Sequence, residues 1–360
     1  KRSKGAGVTC TSDDRVFAGL VEDLAAERSF TLAEIEALLS VTEPRETSRL
    51  FDAADRVRRE CVGNEVHLRG IIEFSNHCVN NCLYCGLRRG NKTLVRYRMG
   101  DDEILQAAAT AKAAGCPTVV LQSGEDPFYT RERMCSLILR IVEETGLVVT
   151  LSVGQRPFDD YEAFRKAGAQ RYLLRHETSN PELFARLCPG KDLEQRLACI
   201  AHLKGLGFET GMGCMVGLPG QTVRDLAKDI LLMKELDADM IGIGPFIPHA
   251  STPLGHHKAG EVNMVLKMVA VTRLVTRDTN IPATTALGVL DQNSRLKAFE
   301  AGANVFMPTF TPETYAASYE IYPGRGEARR VEAASADFRS FIDGLGRTVG
   351  TGPGGRPRRT

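Results

Sequence analysis

The stretch VHLRGIIEFSNHCVNNCLYCGLRRGN (residues 66–91) joins two signals without a break. Its first nine residues form a short apolar run of the kind that makes a buried strand. The rest is a loop with three of the chain's ten cysteines, Cys78, Cys82 and Cys85. A structural zinc site normally closes with four protein ligands, and a disulfide would leave one thiol over. The stretch therefore predicts a strand that delivers three thiols to a site with one further position open.

Strand and helix patterns alternate from residue 66 onwards. Amphipathic stretches such as DDEILQAAATAKAAG (residues 101–115) separate short apolar runs, and this alternation is typical of parallel β/α units. Eight such units suit an α/β fold of the (β/α)8 TIM-barrel type, although a doubly wound sheet is the alternative because strand counts are easily off by one or two. The predicted strands are VHLRGIIEF, PTVVLQ, LVVTLSV, QRYLL, FETGMGCMV, DMIGIGPF, NIPATTA and NVFMP.

The regions outside this alternation define the expected domain boundaries. Residues 1–64 are predicted to form an N-terminal helical extension, in which Thr31 caps the helix TLAEIEALLS. The barrel is expected over residues 65–325, followed by a C-terminal helical segment over 326–348. The Gly/Pro/Arg-rich residues 349–360 are predicted to be a disordered tail.

Composition excludes several classes of partner. The chain has 360 residues, 43% hydrophobic and 25% charged, and its net charge of +1 gives no electrostatic argument for nucleic acid or a membrane surface. No charge-free apolar stretch reaches the roughly 20 residues of a spanning helix, and the first residues lack the apolar core of a signal peptide. Ten cysteines without disulfide-domain spacing predict a reducing compartment, so we expect a cytoplasmic protein.

Unusual residues follow the predicted strands at their carboxyl ends, which is where TIM barrels carry their chemistry. Thiolates there bind soft metals and iron–sulfur clusters, and three of them can hold three irons of a four-iron cube. Asn76, Asn80, Asn81 and Gly86 are residues that tolerate the turns of such a loop. Zinc with the adjacent His77, or a cluster of reactive thiols, remains open as an alternative.

The spacing C-x3-C-x-Φ-C, with aromatic Tyr84 at Φ, resembles the signature loop of the radical S-adenosylmethionine (SAM) enzymes. Across residues 65–325, six blocks resemble the HydE family of [FeFe]-hydrogenase maturases in order and spacing. Biotin synthase and methylornithine synthase share the barrel and the cysteine loop, but the RHET and GPFIPH blocks look like HydE. The six blocks are EFSNHCVNNCLYCGLRR, LQSGEDP, YLLRHETSNP, MVGLPGQT, GIGPFIPH and NIPATTA.

This resemblance implies one [4Fe–4S] cluster on Cys78, Cys82 and Cys85, with SAM chelating the open iron through its amino and carboxylate groups. One electron then splits SAM into methionine and a 5′-deoxyadenosyl radical. Ser123 and Gly124 would receive the methionyl amino group, Glu177 the ribose hydroxyls and Arg196 the carboxylate. On its own, Glu177 is also a candidate for a salt bridge to Arg175 or Arg171, and Arg196 for a surface arginine. The SAM-binding residues implied are Tyr84, Gln122, Ser123, Gly124, Glu177, Arg196, Met215, Met240 and Pro245.

A second polar set is predicted to point into the barrel, where Val, Ile and Leu are usual. Arg171 among hydroxyl donors would make an anion pocket at the mouth. Tyr315, Tyr319 and Tyr322 have the i, i+4, i+7 spacing of one helix face, which is either core packing or a cavity lid. No catalytic residue is assigned. The substrate-binding residues expected are Thr150, Arg171, Thr284, Thr285, Met307, Tyr319 and Tyr322.

The remaining seven cysteines are predicted to be non-catalytic: Cys10, Cys61, Cys116, Cys135, Cys188, Cys199 and Cys214. Some relatives carry three further cysteines after the last strand for a second cluster. YPGRGEARRVEAASADFRSF (residues 322–341) contains none, so one cluster is expected.

The resemblance also implies a substrate and partners. The substrate would be an iron complex carrying cysteine, CO and cyanide, supplied by a partner radical SAM maturase. The product would pass to a scaffold GTPase, and a flavodoxin or ferredoxin would donate the electron. Two rival functions stay open: a radical SAM enzyme for a small amino-acid substrate, such as a methylornithine synthase, and a non-enzymatic iron–sulfur or zinc carrier.

Overall fold

Parallel strands, most of them followed by helices, form the wall of a barrel in the computed structural model. The structure describes residue 19 and residues 29–291, 293–325 and 338–357. The strands are β1 (Glu65–Ser75), β2 (Thr118–Ser123), β3 (Val148–Ser152), β4 (Arg171–Leu173), β5 (Glu209–Val216), β6 (Met240–Pro245), β7 (Val305–Phe306) and β8 (Thr348–Val349).

Helices cover the outside of this wall, and two of them precede the first strand. None of the helices in the described part of the chain is long and apolar enough to cross a membrane. They are α1 (Leu32–Ser40), α2 (Pro44–Val62), α3 (Asp101–Ala113), α4 (Arg131–Thr145), α5 (Phe158–Lys166), α6 (Pro181–Leu187), α7 (Leu193–Gly205), α8 (Val223–Glu235), α9 (Val262–Thr276), α10 (Thr285–Leu290), α11 (Ser294–Glu300), α12 (Glu313–Ala316) and α13 (Phe338–Gly344).

The strand order β6-β5-β4-β3-β2-β1-β7 confirms the predicted α/β fold of TIM type, with one irregular position. The predicted strand NIPATTA does not form a ladder. Instead, Asn280 bridges to Met240, and Pro282 bridges to Val305. Pro282 has no N–H to donate to a ladder, which limits this segment to short bridges. These bridges connect the two edges of the sheet and close the barrel.

The N-terminal helices belong to the helical layer of the barrel. Thr31 caps α1 as predicted, in a reciprocal capping box with Glu34. The other end of α1 is held by Lys267 of α9, whose Nζ donates to the carbonyls of Leu39 (2.6 Å) and Val41 (2.8 Å). A buried ammonium thus satisfies carbonyl groups that a helix C-terminus leaves without partners.

The end of the chain packs against the N-terminal rim of the barrel, so the predicted disorder of the tail is wrong for residues 349–357. There β8 pairs with the beginning of β1, and the Gly354 carbonyl accepts from Arg69 Nη2 (3.0 Å). A Cβ on Gly354 would lie 2.5 Å from His67 Cγ, so the glycine that suggested disorder permits close packing. Residues 358–360 lie outside the described part, as do residues 1–18, 20–28 and 326–337.

Candidate active site

A cavity of about 320 Å³ opens at the carboxyl ends of the strands. Its wall draws on every strand from β1 to β6 and on the segments before and after β7. The predicted site residues that line it are Cys78, Tyr84, Cys85, Gln122, Ser123, Gly124, Glu177, Arg196, Met215, Pro245, Thr284, Thr285, Met307, Tyr319 and Tyr322.

Residues 76–98, here called the cysteine segment, form one wall without regular secondary structure. Such a loop must find partners for its backbone groups, and Arg96 supplies several of them. Its guanidinium donates to the carbonyls of Asn76, Leu87 (2.9 Å) and Arg88 (2.8 Å). Gly86 N also donates to the Ile321 carbonyl (2.9 Å). These bonds hold the three cysteines in fixed positions although they lie on a loop.

The three thiols lie close enough to influence one another. Burial raises the pKa of the Cys78 and Cys85 thiols, and Cys82 adds to both shifts. Cys82 does not line the cavity itself but packs against the apolar cluster that includes Met215, and its contact with Cys188 lowers its pKa. Buried thiols of this kind ionise when a metal centre supplies positive charge.

The donor set fits an iron–sulfur cluster. Three soft sulfur ligands come from one loop beside the cavity, as the cluster chemistry requires. The residue after β2, Gly124, packs directly against Cys78: a Cβ on Gly124 would lie only 2.7 Å from Cys78 Cβ. Nowhere in the described residues do three Cys, His or acidic side chains stand as closely as the ligands of a single metal ion. A cube spreads its cysteines more widely, since each binds a different iron.

Glu177 reaches the cavity from a strained backbone. Its φ of 68° is in the left-handed region, which costs a non-glycine residue about 1 kcal/mol or more. Two hydrogen bonds to β5 hold it there: Glu177 N to the Gly213 carbonyl (3.0 Å) and Met215 N to the Glu177 carbonyl (3.0 Å). Glu177 Oε2 also accepts a hydrogen bond from Arg175 Nε (3.2 Å), so the salt bridge to Arg175 that was the alternative prediction is present. The carboxylate therefore faces the cavity beside a fixed positive charge.

Arg196 of α7 lies at the same corner and is not a surface side chain. It donates to the Arg175 carbonyl (2.8 Å) through Nη1 and to Gln155 Oε1 through Nε (3.1 Å) and Nη2 (3.0 Å). A guanidinium has five N–H donors, so two stay available for a ligand. Burial lowers the pKa of Arg196, but Tyr84 and Glu177 outweigh it and raise the pKa overall. The side chain is cationic at the cavity wall.

Arg325, another residue of the cavity lining, binds a buried carboxylate that the sequence did not reveal. Glu73, at the end of β1, binds Arg325 through Nε (3.2 Å) and Nη2, and it accepts from Thr311 Oγ1. Arg325 Nη1 in turn donates to the hydroxyl of Tyr322 (2.7 Å). This network positions Tyr322 at the cavity. Arg175 and Arg325 line the cavity but were not predicted as site residues. Of the two, only Arg175 lies in a recognisable sequence motif, the RHET block.

The predicted tyrosine stripe does not lie on one helix. Helix α12 ends at Ala316, so Tyr319 and Tyr322 follow it in an irregular segment. Both line the cavity, and Tyr319 OH accepts from Gln122 Nε2 (3.2 Å). Tyr315 lies elsewhere, stacked on Tyr97 with ring centroids 4.8 Å apart. The helical spacing was therefore accidental, although two of the three tyrosines reach the predicted place.

Three predicted site residues lie too deep in the barrel. Arg171 is the first residue of β4, where it pairs with Glu209 (Nε–Oε2, 2.7 Å) and Thr118 Oγ1 (3.0 Å) near the N-terminal rim, so its prediction as a mouth residue is wrong. Met240 begins β6, and its sulfur contacts Arg69. Thr150 lies opposite Arg171 in the ladder. None of the three lines the cavity, because each precedes the end of its strand.

The remaining cysteines lie apart from the cavity lining in the described residues. Cys214 is fully buried on β5, and burial raises the pKa of its thiol. Cys188 is buried behind the cysteine segment, with its sulfur 4.0 Å from the hydroxyl of Tyr84. Cys10 lies outside the described residues.

The chain is similar to one family of proteins by its family model, and to individual relatives by sequence and by structure. The family model for the radical SAM superfamily matches residues 72–233. The [FeFe] hydrogenase maturase subunit HydE of Thermotoga maritima is 49% identical over 332 residues, which cover 92% of this chain and 95% of that protein. A 3-methylornithine synthase of Methanosarcina acetivorans is 30% identical over 317 residues, with 87% of each chain covered. The crystal structure of methylornithine synthase has a TM-score of 0.82 at 26% identity, covering 92% of this chain and 97% of that one.

Proposed function

Because the chain belongs to the HydE family of [FeFe]-hydrogenase maturases, within the radical SAM superfamily, we propose that its cavity binds SAM for reductive cleavage during assembly of the hydrogenase diiron subsite. The observation that carries this proposal is that Cys78, Cys85, Glu177 and Arg196 line one cavity, while Cys82 packs against the apolar cluster that includes the lining residue Met215. These residues supply soft ligands for a metal centre, an acceptor for hydroxyls and a donor for a carboxylate.

Each group at this wall has a task toward SAM. A [4Fe–4S] cluster on Cys78, Cys82 and Cys85 would supply an open iron and the electron for cleavage of the sulfonium. Glu177 would accept hydrogen bonds from the two ribose hydroxyls, while the two free N–H groups of Arg196 would bind the carboxylate. The remaining contacts would come from Tyr84, Gln122, Ser123, Gly124, Met215 and Pro245, which line the cavity beside them.

The other half of the cavity is proposed to hold the substrate. Thr284 and Thr285 present hydroxyls there, and Tyr322 is held by Arg325. The family supports a cysteine-bound Fe(CO)2(CN) precursor as substrate, received from a partner radical SAM maturase. The product would go to a scaffold GTPase, in the cytoplasm. Met307 and Tyr319 complete this wall.

The test is anaerobic reconstitution of the protein with iron and sulfide, followed by SAM and dithionite. We expect about four irons per chain and the release of 5′-deoxyadenosine and methionine in equal amounts. Absence of 5′-deoxyadenosine from a fully reconstituted protein would refute the proposal. About eight irons per chain would refute the single cluster.

A second candidate is a radical SAM enzyme that acts on a small amino acid. It is favoured by the similarity of the chain to 3-methylornithine synthases. The two candidates differ in a deletion strain, since only a maturase is needed for active [FeFe]-hydrogenase. Restoration of hydrogenase activity by this chain supports the first candidate and excludes the second as its main role.

A further inference from the structure

The cysteine segment has an unusual charge. The whole chain has a net charge of only +1, yet residues 76–98 contain no acidic residue. A local surplus of this size on one loop produces a positive field near the cysteines. The segment's cations are Arg88, Arg89, Lys92, Arg96 and Arg98.

Only part of this charge is neutralised. Arg98 pairs with Asp126 (Nε–Oδ2, 2.8 Å), and Arg96 is occupied by backbone carbonyls. Arg88, Arg89 and Lys92 have no acidic side chain within ion-pair distance in the described residues. The carboxylate of Glu125, whose backbone carbonyl binds Val79 N, is engaged elsewhere, since it pairs with Lys191 (2.7 Å). Arg89 and Lys92 are exposed, so the surplus faces solvent.

Exposed apolar side chains accompany these cations. Val95 is 72% exposed and Val79 is 47% exposed, and both belong to the cysteine segment. Phe128 is 44% exposed and lies under the guanidinium of Arg98, 4.7 Å from it. In the described residues only Leu139 and Phe158 are large apolar side chains of comparable exposure, and they lie on α4 and α5. Val79 N donates to the carbonyl of Glu125 (3.0 Å), three residues before Phe128. Exposed apolar side chains combined with charged ones are typical of protein–protein interfaces.

This surface is connected directly to the cysteines. Arg89 N donates to the carbonyl of Asn80 (2.8 Å), and Arg88 N donates to the carbonyl of Cys85 (3.1 Å). Asn80 lies between Cys78 and Cys82. A protein docked on Val79, Arg89 and Lys92 would therefore be separated from the cluster ligands by a single layer of hydrogen-bonded backbone.

We propose that the surface formed by Val79, Arg89, Lys92, Val95 and Phe128 docks a small acidic one-electron carrier protein of the flavodoxin or ferredoxin class. This inference rests on the proposed function, because SAM cleavage consumes one electron per event. In the docked complex the reduced carrier loses one electron and the cluster gains it, and no bond is made or broken. Opposite charges on the two proteins accelerate and orient their encounter.

The test uses the double variant R89E/K92E, which reverses two exposed charges. We expect its affinity for a flavodoxin, measured by isothermal titration calorimetry, to fall roughly tenfold or more. The affinity of the wild type should fall similarly in about 0.5 M salt, where surface charges are screened. Val95→Asp should also weaken binding, because it alters the apolar part of the surface while leaving all of its cations in place. The matched control K112E/K234E changes exposed lysines near the carboxyl ends of α3 and α8 and should bind as the wild type does.

Activity with two reductants separates docking from chemistry. With enzymatically reduced flavodoxin, R89E/K92E should need a higher flavodoxin concentration for half-maximal SAM cleavage, while dithionite should drive it at the wild-type rate. Unchanged flavodoxin affinity in both R89E/K92E and Val95→Asp would overturn the docking surface. If dithionite fails to drive cleavage even in the wild type, the proposed function is refuted instead.

Discussion

At the C-terminal mouth of the barrel Arg175 and Arg196 face a cavity, whereas at the N-terminal rim Arg69 and Arg171 face the end of the chain. All four side chains are largely withdrawn from solvent. At the mouth, burial lowers the pKa of Arg175, but Glu177 outweighs it and the pKa is raised. At the rim, burial lowers the pKa of Arg69 to about 9, and Arg171 contributes to the fall. Positive charge is thus balanced at the mouth and crowded at the rim.

Buried polar residues therefore indicate a binding site only where open space adjoins them. The rim fills its space with the chain's own carbonyls: Gly354 O accepts from Arg69, and Pro353 O accepts from Thr118 Oγ1 (3.2 Å). The mouth leaves about 320 Å³ open. We therefore expect mouth variants to lose ligand binding and rim variants to lose stability.

The largest effect is expected from Cys82→Ala at the mouth. Two remaining thiolates hold a cluster poorly, so iron content should fall from about four per chain to near zero, and SAM cleavage should stop. Iron analysis and detection of 5′-deoxyadenosine measure both. Cys135→Ala, on the half-buried face of α4, is the matched control and should keep its iron. A Cys82→Ala protein that still cleaves SAM would remove the cysteine segment from the site.

Arg171→Ala tests the rim. The substitution leaves Glu209 without its partner and removes one of the two hydrogen bonds of Thr118 Oγ1, and we expect a loss of about 3 kcal/mol in the free energy of unfolding. Urea denaturation measures the loss, while the folded fraction should bind SAM with unchanged affinity. Arg175→Ala is the mouth counterpart, with weaker SAM binding and a smaller loss of stability. The division between mouth and rim fails if Arg171→Ala weakens SAM binding at full stability.

His67 sharpens the comparison through pH. Burial, then Arg69 and Arg171, lower its pKa from 6.5 to about 4, so the folded rim favours the neutral imidazole. Between pH 6.5 and 4 the unfolded chain binds more protons, so stability is fully present above pH 6.5 and falls as pH drops towards 4. The loss should reach roughly 2–3 kcal/mol. Denaturation at several pH values should show a shallower slope for His67→Gln, and equal slopes would contradict it.

Two substitutions of Glu177 distinguish the effect of its strained backbone on stability from the effect of its carboxylate on SAM binding. Glu177→Gly suits the φ of 68° and should leave the midpoint of thermal unfolding unchanged or higher, whereas Glu177→Ala keeps the strain. Both remove the carboxylate and should weaken SAM binding by about 2 kcal/mol. The absorbance of the reconstituted cluster should not change. If either variant binds SAM normally, Glu177 serves only its salt bridge to Arg175.

Features that depend on neighbours along the chain could be predicted from the amino-acid sequence. The spacing of Cys78, Cys82 and Cys85 is local, as is the capping box at Thr31. Residues at or shortly after the carboxyl end of a strand reach the mouth of a parallel barrel whatever its detailed register, and for this reason Ser123, the last residue of β2, and Glu177, four residues after β4, both line the cavity.

The depth of a residue within a strand and the pairing of distant residues depend on the folded chain and could not be predicted. Arg171 and Arg175 are only four residues apart, yet Arg171 begins β4 near the rim and Arg175 lies two residues beyond its end at the mouth, because each strand residue advances about 3.3 Å. The bond between Glu73 and Arg325 joins residues 252 positions apart, and no local pattern reveals it. Residues 349–357 of the glycine-rich tail are ordered for the same reason: their backbone fits a rim built by β1, β2 and β4, and amino-acid composition does not reveal such a fit.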